Sequence, residues 1–372
     1  LLPLLGGVGV VATGRFPDLR ETVTLITAAA TAVLVLMIAY RFLNGETFFF
    51  SLGEPLPGIA IAFEIEAAGM IFALVAGLLW IVTSIYAIGY MRGHNEENQT
   101  RFFTAFAVAI SCALGIAFSA NLITLFLFYE LLTLSTYPLV VHSGTAEARR
   151  GGRIYLGLLL GTSIGLFLLA IIITWLVAGT LDFQEGGILA GKLDPAWAGL
   201  LYALFLFGIG KAALMPFHRW LPAAMVAPTP VSALLHAVAV VKAGVFTLFK
   251  VTSQIFGSAY ILSNDVTGVL VWAAAATILL ASLVAMTKDN LKARLAYSTV
   301  SQLSYIAMGT MLASKTAMIG SAMHIAMHAF SKITLFFAAG AIFVVTHKKL
   351  VSELDGLGRA MPITFGAFLI GT

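Results

Sequence analysis

The residues of this chain that are best suited to chemistry are ionisable side chains inside long apolar runs. Lys211 is the only charged residue between Pro195 and Phe217. Glu130 interrupts the apolar run that begins after Asn121. A charge at the centre of a bilayer costs about 2.5–3.5 kcal/mol on insertion scales. A chain that meets this cost in several helices is expected to use the charges, and movement of protons or ions is the first hypothesis.

Glu130 and Lys211 are both predicted to lie deep in the membrane. Glu130 follows Asn121 by nine residues, which places it roughly 13 Å into its helix. Lys211 lies roughly 20 Å into its own span. A buried lysine can lose its charge, whereas arginine cannot, so this residue type favours proton loading over permanent pairing. The alternatives are a static ion pair for Glu130 and, for Lys211, a side chain that reaches the membrane surface.

A second group of candidates lies on two later spans. His324, His328 and Lys332 are four residues apart and fall along one helix face, as a proton relay requires. The alternatives are a structural histidine pair and a metal site. The metal site lacks an acidic third ligand, and the lysine one turn away would repel a cation. His236 and Lys242 lie about 120° apart around a helix, so they share no face but could border one cavity.

The remaining polar and sulfur groups carry weaker signals. His218 and Arg219 lie in a proline-rich stretch, which suits a gate or an interface as well as a plain loop. Cys112 is the single cysteine, so the chain forms no internal disulfide and no CxxC metal site, and we expect a small buried residue. The GGVGVV stretch near the start lacks the strand–helix context of a dinucleotide site.

The composition indicates a polytopic membrane protein. Of the 372 residues, 60% are hydrophobic and 10% are charged, whereas a soluble protein carries about 25% charged residues. The net charge is +4, but the basic residues are scattered between apolar runs, so a nucleic-acid-binding surface is not expected.

The apolar runs predict ten complete spans and two partial ones, since a span needs about 20 residues. The partial spans are 1–13 and the run from 361, and both chain ends look cut. The complete spans are 22–43, 67–90, 102–120, 122–142, 154–178, 197–225, 229–251, 266–287, 291–312 and 316–346.

The seventh span is predicted to be discontinuous. Four prolines, from Pro216 to Pro230, follow Lys211, and proline removes a backbone donor and clashes with the preceding turn. We expect the helix to break after about Met215 and to restart near Val231. Broken backbone at membrane depth survives only inside protein or beside a water-filled cavity, and it lines ion sites in transporters. The alternative is a simple proline kink.

Basic residues predict the orientation of the spans. Lysine and arginine are more frequent in the odd-numbered loops, which include Arg20 and Lys292, than in the even-numbered loops, which include Lys250. The odd loops are therefore expected in the cytoplasm, with the chain start outside. These basic residues are interpreted as orientation signals.

Four stretches together resemble one known family. They read FYELLTLSTYPLVVH, GKAALMPFHRWLPAAMVAPTPVSALLHAVAVVKAGVF, KDNLKARLAYSTVSQLSY and MHIAMHAFSKITLFFAAG. They are similar to the antiporter-like subunits shared by respiratory complex I and the multisubunit Mrp-type sodium/proton antiporters. The resemblance implies an all-α, polytopic transmembrane bundle in one domain over 1–372, with inverted repeats. The first repeat would comprise helices 4–8, approximately 102–251, and an incomplete second repeat 266–372.

The resemblance also implies roles for individual residues. In that family the fifth-helix glutamate pairs with the seventh-helix lysine, here Glu130 and Lys211. The family's twelfth-helix lysine or glutamate has no counterpart before Thr372. The implied proton-translocating residues are Glu130, Lys211, His236, Lys242, His324, His328 and Lys332.

Three functions follow from these observations. The first is a subunit, most similar to the D-type or A-type Mrp subunits, of a multisubunit sodium/proton antiporter in the plasma membrane. The second is a proton-pumping subunit of a complex I-like NADH–quinone oxidoreductase or a membrane-bound hydrogenase, without its own redox site. The third is a structural subunit with inert charges. Other membrane subunits are the expected partners, and no cofactor or metal is expected.

Overall fold

The chain folds into a bundle of long helices. The computed structural model describes residues 1–55 and 58–372. In chain order the main helices are α1 (Leu2–Ala12), α2 (Pro17–Leu43), α3 (Ala67–Gly93), α4 (Gln99–Ala117), α5 (Leu122–Val140), α6 (Ala146–Ala178), α7 (Pro195–Gly208), α8 (Thr229–Phe256), α9 (Gly268–Thr287), α10 (Leu291–Met311), α11 (Lys315–Thr346) and α12 (Pro362–Gly371).

The helices correspond to the spans predicted from the sequence. Within the described ranges, eight helices are long and apolar enough to cross a membrane: α2, α3, α4, α5, α6, α8, α9 and α11. α10 is 21 residues long but more polar. α7 has only 14 residues and is followed by short helical turns. The chain is therefore an all-α, multi-pass membrane protein, as predicted.

The break in the seventh span begins earlier than predicted. α7 ends at Gly208, and a 3₁₀ turn covers Gly210–Ala212. Further short turns, including the helix Trp220–Ala223, lead to Thr229, where α8 begins. The predicted end near Met215 was wrong because it relied on the prolines. Lys211 consequently lies inside the break and not in the helix before it.

Small elements at the even-loop face escaped the sequence analysis. Strands β1 (Phe49–Ser51) and β2 (Ala62–Glu64) form an antiparallel hairpin between α2 and α3. The hairpin packs on the turn between α4 and α5, because the Glu64 N–H donates to the Phe118 carbonyl oxygen at 2.7 Å. A short helix, Ser258–Asn264, follows α8.

Contacts between loops divide them into two faces. On the odd-loop face, Ser352 Oγ donates to Asp289 Oδ2 at 2.7 Å, joining the ninth and eleventh loops. On the even-loop face, Lys250 Nζ lies 2.7 Å from Glu66 Oε2, joining the eighth and second loops. The alternation of loops predicted from the basic residues is thus present in the fold. Which face is cytoplasmic stays a prediction.

Two of the basic residues interpreted as orientation signals are buried. Arg20 is 5% exposed and donates to Gln99 Oε1 at 2.8 Å. Lys250 is 1% exposed and pairs with Glu66. The interpretation as orientation signals does not account for the burial of these two residues. Both side chains turn inward, Arg20 to an amide oxygen and Lys250 to a carboxylate oxygen.

α8 occupies the centre of the bundle. Every residue of its most apolar 18-residue window is buried, against 22% for α9 and 33% for α2. α8 also contains two π-helical segments, Leu234–Val238 and Val251–Phe256. Each π turn widens the helix locally, and such turns are frequent at functional sites. His236 and Lys242 are both carried by this central helix.

Candidate functional site

Lys211 is held by α5 inside the break. Its side chain is fully buried. The ammonium Nζ donates to the Tyr129 carbonyl oxygen at 2.8 Å and to Thr133 Oγ1 at 2.6 Å. Nζ also lies 3.2 Å from the centroid of the Tyr129 ring, a distance that allows a cation–π contact. Thus a carbonyl, a hydroxyl and an aromatic face hold the lysine.

The interrupted backbone at Lys211 finds partners in neighbouring side chains. The Lys211 N–H donates to Tyr129 Oη at 3.0 Å, and Trp220 Nε1–H donates to the Gly210 carbonyl oxygen at 2.9 Å. Gly244 of α8 packs directly on the break, since a Cβ there would lie 2.3 Å from the Lys211 carbonyl carbon. The break is therefore an enclosed and satisfied structure, as membrane depth requires.

Glu130 does not form the predicted ion pair with Lys211. Both carboxylate oxygens of Glu130 are buried, and neither has a hydrogen-bond partner among the residues that the structure describes. Lys211 contacts the carbonyl of the preceding residue, Tyr129, instead. The predicted direct pairing is wrong for this arrangement, because the lysine finds neutral oxygen acceptors one residue and one turn away on the same helix.

Lys242 and His328 meet between α8 and α11. Lys242 Nζ and His328 Nδ1 are in direct hydrogen-bond contact. Lys242 is completely buried, and His328 is 3% exposed. Two basic groups in direct contact cannot both be charged without strong repulsion, so at most one of them is charged at a time.

The α11 row continues in both directions from His328. The His324 and His328 rings stack with centroids 6.1 Å apart. His324 Nε2 lies 2.8 Å from Gln302 Oε1, and Lys332 Nζ donates to Ser298 Oγ at 2.7 Å. The predicted common face of the row is confirmed. Its neighbours are polar residues of α10, and the described contacts bring no acidic third ligand to the histidine pair.

His236 is close to the row but touches none of its polar atoms. It lies in the first π segment of α8 and is completely buried. Both ring nitrogens lack a hydrogen-bond partner in the described part of the chain. The ring packs on Phe336 of α11 with centroids 4.7 Å apart. His236 is thus an unsatisfied histidine between α8 and α11.

Sequence analysis missed several residues that hold the candidate groups. Tyr129 and Thr133 bind Lys211, and Ser298 and Gln302 bind the α11 row. Ser298 and Gln302 are four residues apart in an amphipathic span, and this spacing could have identified them. No comparable signal distinguishes Tyr129, whose backbone carbonyl is one of the ligands.

His218 and Arg219 show no gate-like contact. The His218 ring lies 6.0 Å from the Tyr297 ring, and His218 Nδ1 is buried without a partner in the described residues. Both residues belong to a 3₁₀ turn, Phe217–Arg219, inside the break. A gate therefore gains no support from the geometry.

Histidine and glutamate also approach one another at the odd-loop face. His142 Nε2 lies 3.8 Å from Glu96 Oε2, and Glu96 Oε1 lies 3.0 Å from His94 Nδ1. Burial lowers the pKa of His142 from its ordinary value of 6.5, and the Glu96 carboxylate opposes that shift. His142 is therefore a mostly neutral histidine at pH 7.

A second buried pair stands at the even-loop face. Lys250 Nζ contacts Glu66 Oε2 at 2.7 Å and the Ser119 carbonyl oxygen at 3.4 Å. Gln254 Nε2 donates to the same Glu66 oxygen at 2.8 Å. The ammonium also lies 3.9 Å from the centroid of the Phe183 ring. This pair ties the start of α3 to the end of α8.

The fold and these sites together define a multi-pass membrane protein of the antiporter-like class. The chain belongs to the family described as "NADH:quinone oxidoreductase/Mrp antiporter, TM", whose model matches residues 119–372, more than half of the chain. The family resemblance seen in the sequence is thereby confirmed.

Relatives of two kinds match at similar levels. The chain is 31% identical to NADH-quinone oxidoreductase subunit N of Desulforudis audaxviator, covering 92% of this chain and 69% of the relative. It is 33% identical to the A/B subunit of a probable K⁺/H⁺ antiporter from Rhizobium meliloti, covering 83% of this chain and 30% of the relative. It spans 59% and 57% of two cyanobacterial NAD(P)H-quinone oxidoreductase chains 5, so it corresponds to part of such proteins.

Solved structures share the fold. A chain of the membrane-bound sulfane sulfur reductase, an archaeal respiratory complex, matches with a TM-score of 0.87 and 24% identity, covering 100% of this chain and 75% of that one. A chain of the Mrp complex from Dietzia sp. matches with a TM-score of 0.86 and 24% identity, covering 99% of this chain and 68% of that one.

Proposed function

We propose that the chain is a proton-translocating subunit of a multisubunit monovalent cation/proton antiporter, with Na⁺ as the cation. The observation that carries the proposal is the set of buried basic groups around the central helix. Lys211 packs beside α8, and Lys242, His328, His324 and Lys332 form contacts between α8, α11 and α10. Membrane proteins rarely bury such groups unless they serve a substrate or proton path.

The proposed mechanism uses Lys211 as a switch between two sets of acceptors. In one set, the ammonium donates to the Tyr129 carbonyl and the Thr133 hydroxyl. In the other, it turns to the unpartnered carboxylate of Glu130, which then becomes paired. A proton that arrives at or leaves Lys211 changes the relative energy of the two sets. Glu130 would thereby provide electrostatic coupling between this chain and a neighbouring one.

The remaining groups would pass the proton along α11. The Lys242–His328 contact shares one proton, and His324 receives it from the stacked His328 and releases it to water, while Gln302 Oε1 orients the His324 ring. We include His236 in this path because its ring nitrogens have no other partner among the described residues. The division of the bundle into two inverted repeats, at 102–251 and 266–372, is part of the same proposal.

The test measures proton flux in the complete, full-length complex reconstituted into liposomes with an internal pH dye. Lys211→Ala should abolish the proton flux driven by a Na⁺ gradient. Lys315→Ala is the matched control, because Lys315 is an exposed lysine at the start of α11. Flux that survives in assembled Lys211→Ala complexes would remove the basis of this mechanism.

The second candidate is a proton-pumping subunit of a complex I-like oxidoreductase. The relative from Desulforudis audaxviator favours it, since the match covers 92% of this chain. Purification of the native complex discriminates between the candidates. Co-purifying iron–sulfur or NADH-oxidising subunits, with proton flux that follows electron transfer and ignores a Na⁺ gradient, would replace the antiporter proposal.

A further inference from the structure

A cavity lined by charged, polar and apolar residues opens on the odd-loop face, apart from the buried row. Its volume is about 500 Å³. Tyr90, His94 and Glu96 line it from the end of α3, Thr229 from the start of α8 and Lys292 from the start of α10. Lys292 Nζ also donates to the Ala227 carbonyl oxygen at 2.5 Å, just before α8 begins. The cavity therefore meets the central helix at its odd-loop end.

Three polar aromatic residues lead from this cavity into the bundle. Tyr86, Tyr90 and His94 are four residues apart on α3 and lie on one helix face. The ring centroids are 6.1 Å apart for the two tyrosines and 5.9 Å apart for Tyr90 and His94. Tyr90 and His94 line the cavity, and Tyr86 lies one turn deeper. We call Tyr86, Tyr90 and His94 the α3 row.

The innermost hydroxyl of the α3 row is buried without a partner. Tyr86 Oη has no hydrogen bond to any residue in the described part of the chain. It packs against the backbone of α11, where a Cβ on Gly340 would lie 1.9 Å from it. The Tyr86 ring stacks on Phe337 with centroids 4.0 Å apart. A buried and unpaired hydroxyl is costly, so its retention points to a role.

Tyr86 lies close to the level of His236 along α11. Gly340, which contacts Tyr86, follows Phe336 by four residues, or roughly 6 Å along a helix. Phe336 in turn packs on His236 at 4.7 Å between ring centroids. Unpaired polar side chains thus contact α11 at two sites about one turn apart, Tyr86 at Gly340 and His236 at Phe336.

We propose that the cavity is the proton entrance on the odd-loop face and that Tyr90 and Tyr86 connect it to His236. This inference rests on the function proposed above. At each step a tyrosine oxygen accepts a proton from the cavity side and releases its own proton to the next acceptor, so the hydroxyl is regenerated. The proton ends on a ring nitrogen of His236. Among the described residues Tyr86 and His236 share no hydrogen bond, so the last transfer proceeds through water near Phe336 and Gly340.

The first experiment removes one hydroxyl. Tyr86→Phe in the complete complex, reconstituted into liposomes, should lower ion-driven proton flux roughly tenfold. A positioned proton-transfer group typically contributes about a hundredfold or more, but here water can replace part of the path. Tyr202→Phe is the matched control. Tyr202 is also fully buried, but its hydroxyl bonds to Thr252 Oγ1 at 2.7 Å near the even-loop end of α8. Wild-type flux in Tyr86→Phe would overturn the inference.

The second experiment separates the hydroxyl from the packing around it. Gly340→Ala should also lower flux, because its methyl group displaces Tyr86 Oη. The added methyl group would also lie 2.8 Å from Thr229 Cγ2, so Tyr86→Phe relieves only the clash with the hydroxyl. If the hydroxyl carries protons, adding Tyr86→Phe to Gly340→Ala restores no flux. Restored flux in the double variant would show that only packing matters and would overturn the inference.

Two further measurements keep the outcome decisive. Tyr90→Phe removes the hydroxyl nearer the cavity, so it must also lower proton flux if the route is correct. If the Tyr86→Phe complex fails to assemble, wild-type flux in Tyr90→Phe would overturn the inference. Lys211→Ala tests the proposed function separately. Loss of flux in Lys211→Ala with full flux in Tyr86→Phe and Tyr90→Phe would refute this entrance and leave the proposed function intact.

Discussion

The buried pair Lys250–Glu66 predicts an unequal response to loss of its two members. The Lys250 side chain is 2% exposed, whereas the Glu66 side chain is 21% exposed. Without Glu66, the ammonium keeps the Ser119 carbonyl at 3.4 Å and the Phe183 ring at 3.9 Å. Without Lys250, the carboxylate keeps the Gln254 amide at 2.8 Å and its access to water. Removal of Glu66, which leaves the buried Lys250 ammonium without its carboxylate, should therefore destabilise the protein more than removal of Lys250.

These contacts set the expected magnitudes. Breaking a buried pair costs about 3–5 kcal/mol, and the remaining cation–π contact reduces this to roughly 2–3 kcal/mol for Glu66→Gln. Lys250→Met leaves a partly exposed carboxylate with one donor and should cost about 1 kcal/mol. The double variant should resemble Lys250→Met, because no buried ammonium remains.

The assay is thermal unfolding of the purified protein in a mild detergent, measured for the two single variants and the double variant. The midpoint should fall by roughly 4 °C or more for Glu66→Gln and by about 1–2 °C for Lys250→Met. Equal losses, or a larger loss for Lys250→Met, would refute the reasoning. So would a double variant that is less stable than Glu66→Gln.

Three more predictions concern the other sites. Thr133→Val removes a hydrogen bond to the Lys211 ammonium, worth about 1.5–3 kcal/mol, so proton flux should fall roughly tenfold while Thr133→Ser keeps it. Gly244→Ala places a methyl group 2.3 Å from the Lys211 carbonyl carbon, and overpacking of about 1–3 kcal/mol should lower the unfolding midpoint. The lowered pKa of His142 means that the unfolded chain binds the proton more readily, so stability is full above pH 6.5 and declines as the pH falls below it. Thermal unfolding between about pH 7.5 and 5.5 should show this decline, and His142→Gln should reduce it.

Much of the fold could be predicted because membrane spans are determined by composition. Apolar length located the eight long apolar helices of the described residues and α10, and the four-residue spacing correctly placed His324, His328 and Lys332 on one face. Both signals are local, so neither depends on which helices become neighbours. The burial of Lys211 was also predictable, since its whole run is apolar.

The contacts between helices could not be predicted in the same way. Lys211 binds a backbone carbonyl and a hydroxyl of α5, while its predicted partner Glu130 has no hydrogen bond among the described residues. Every residue carries a backbone carbonyl, so the sequence does not indicate which carbonyl accepts a hydrogen bond from a lysine. α7 ends at Gly208, well before Pro216, and Gly208 packs closely on the Phe167 backbone of α6, a contact between helices that the sequence does not indicate.

The enclosed position of α8 has a consequence for biogenesis. A helix whose most apolar window is wholly buried shares no surface with lipid in the finished protein. α8 must nevertheless enter the membrane with Lys242 and His236 before its later neighbours, α10 and α11, have been synthesised. We expect the insertion machinery to retain α8 beside α7 until α11 has been synthesised. α8 would then enter the lipid only together with the helix that covers its basic groups. A nascent chain halted before Ser314 should therefore crosslink to the insertion machinery through α8, and one extended beyond Thr346 should not.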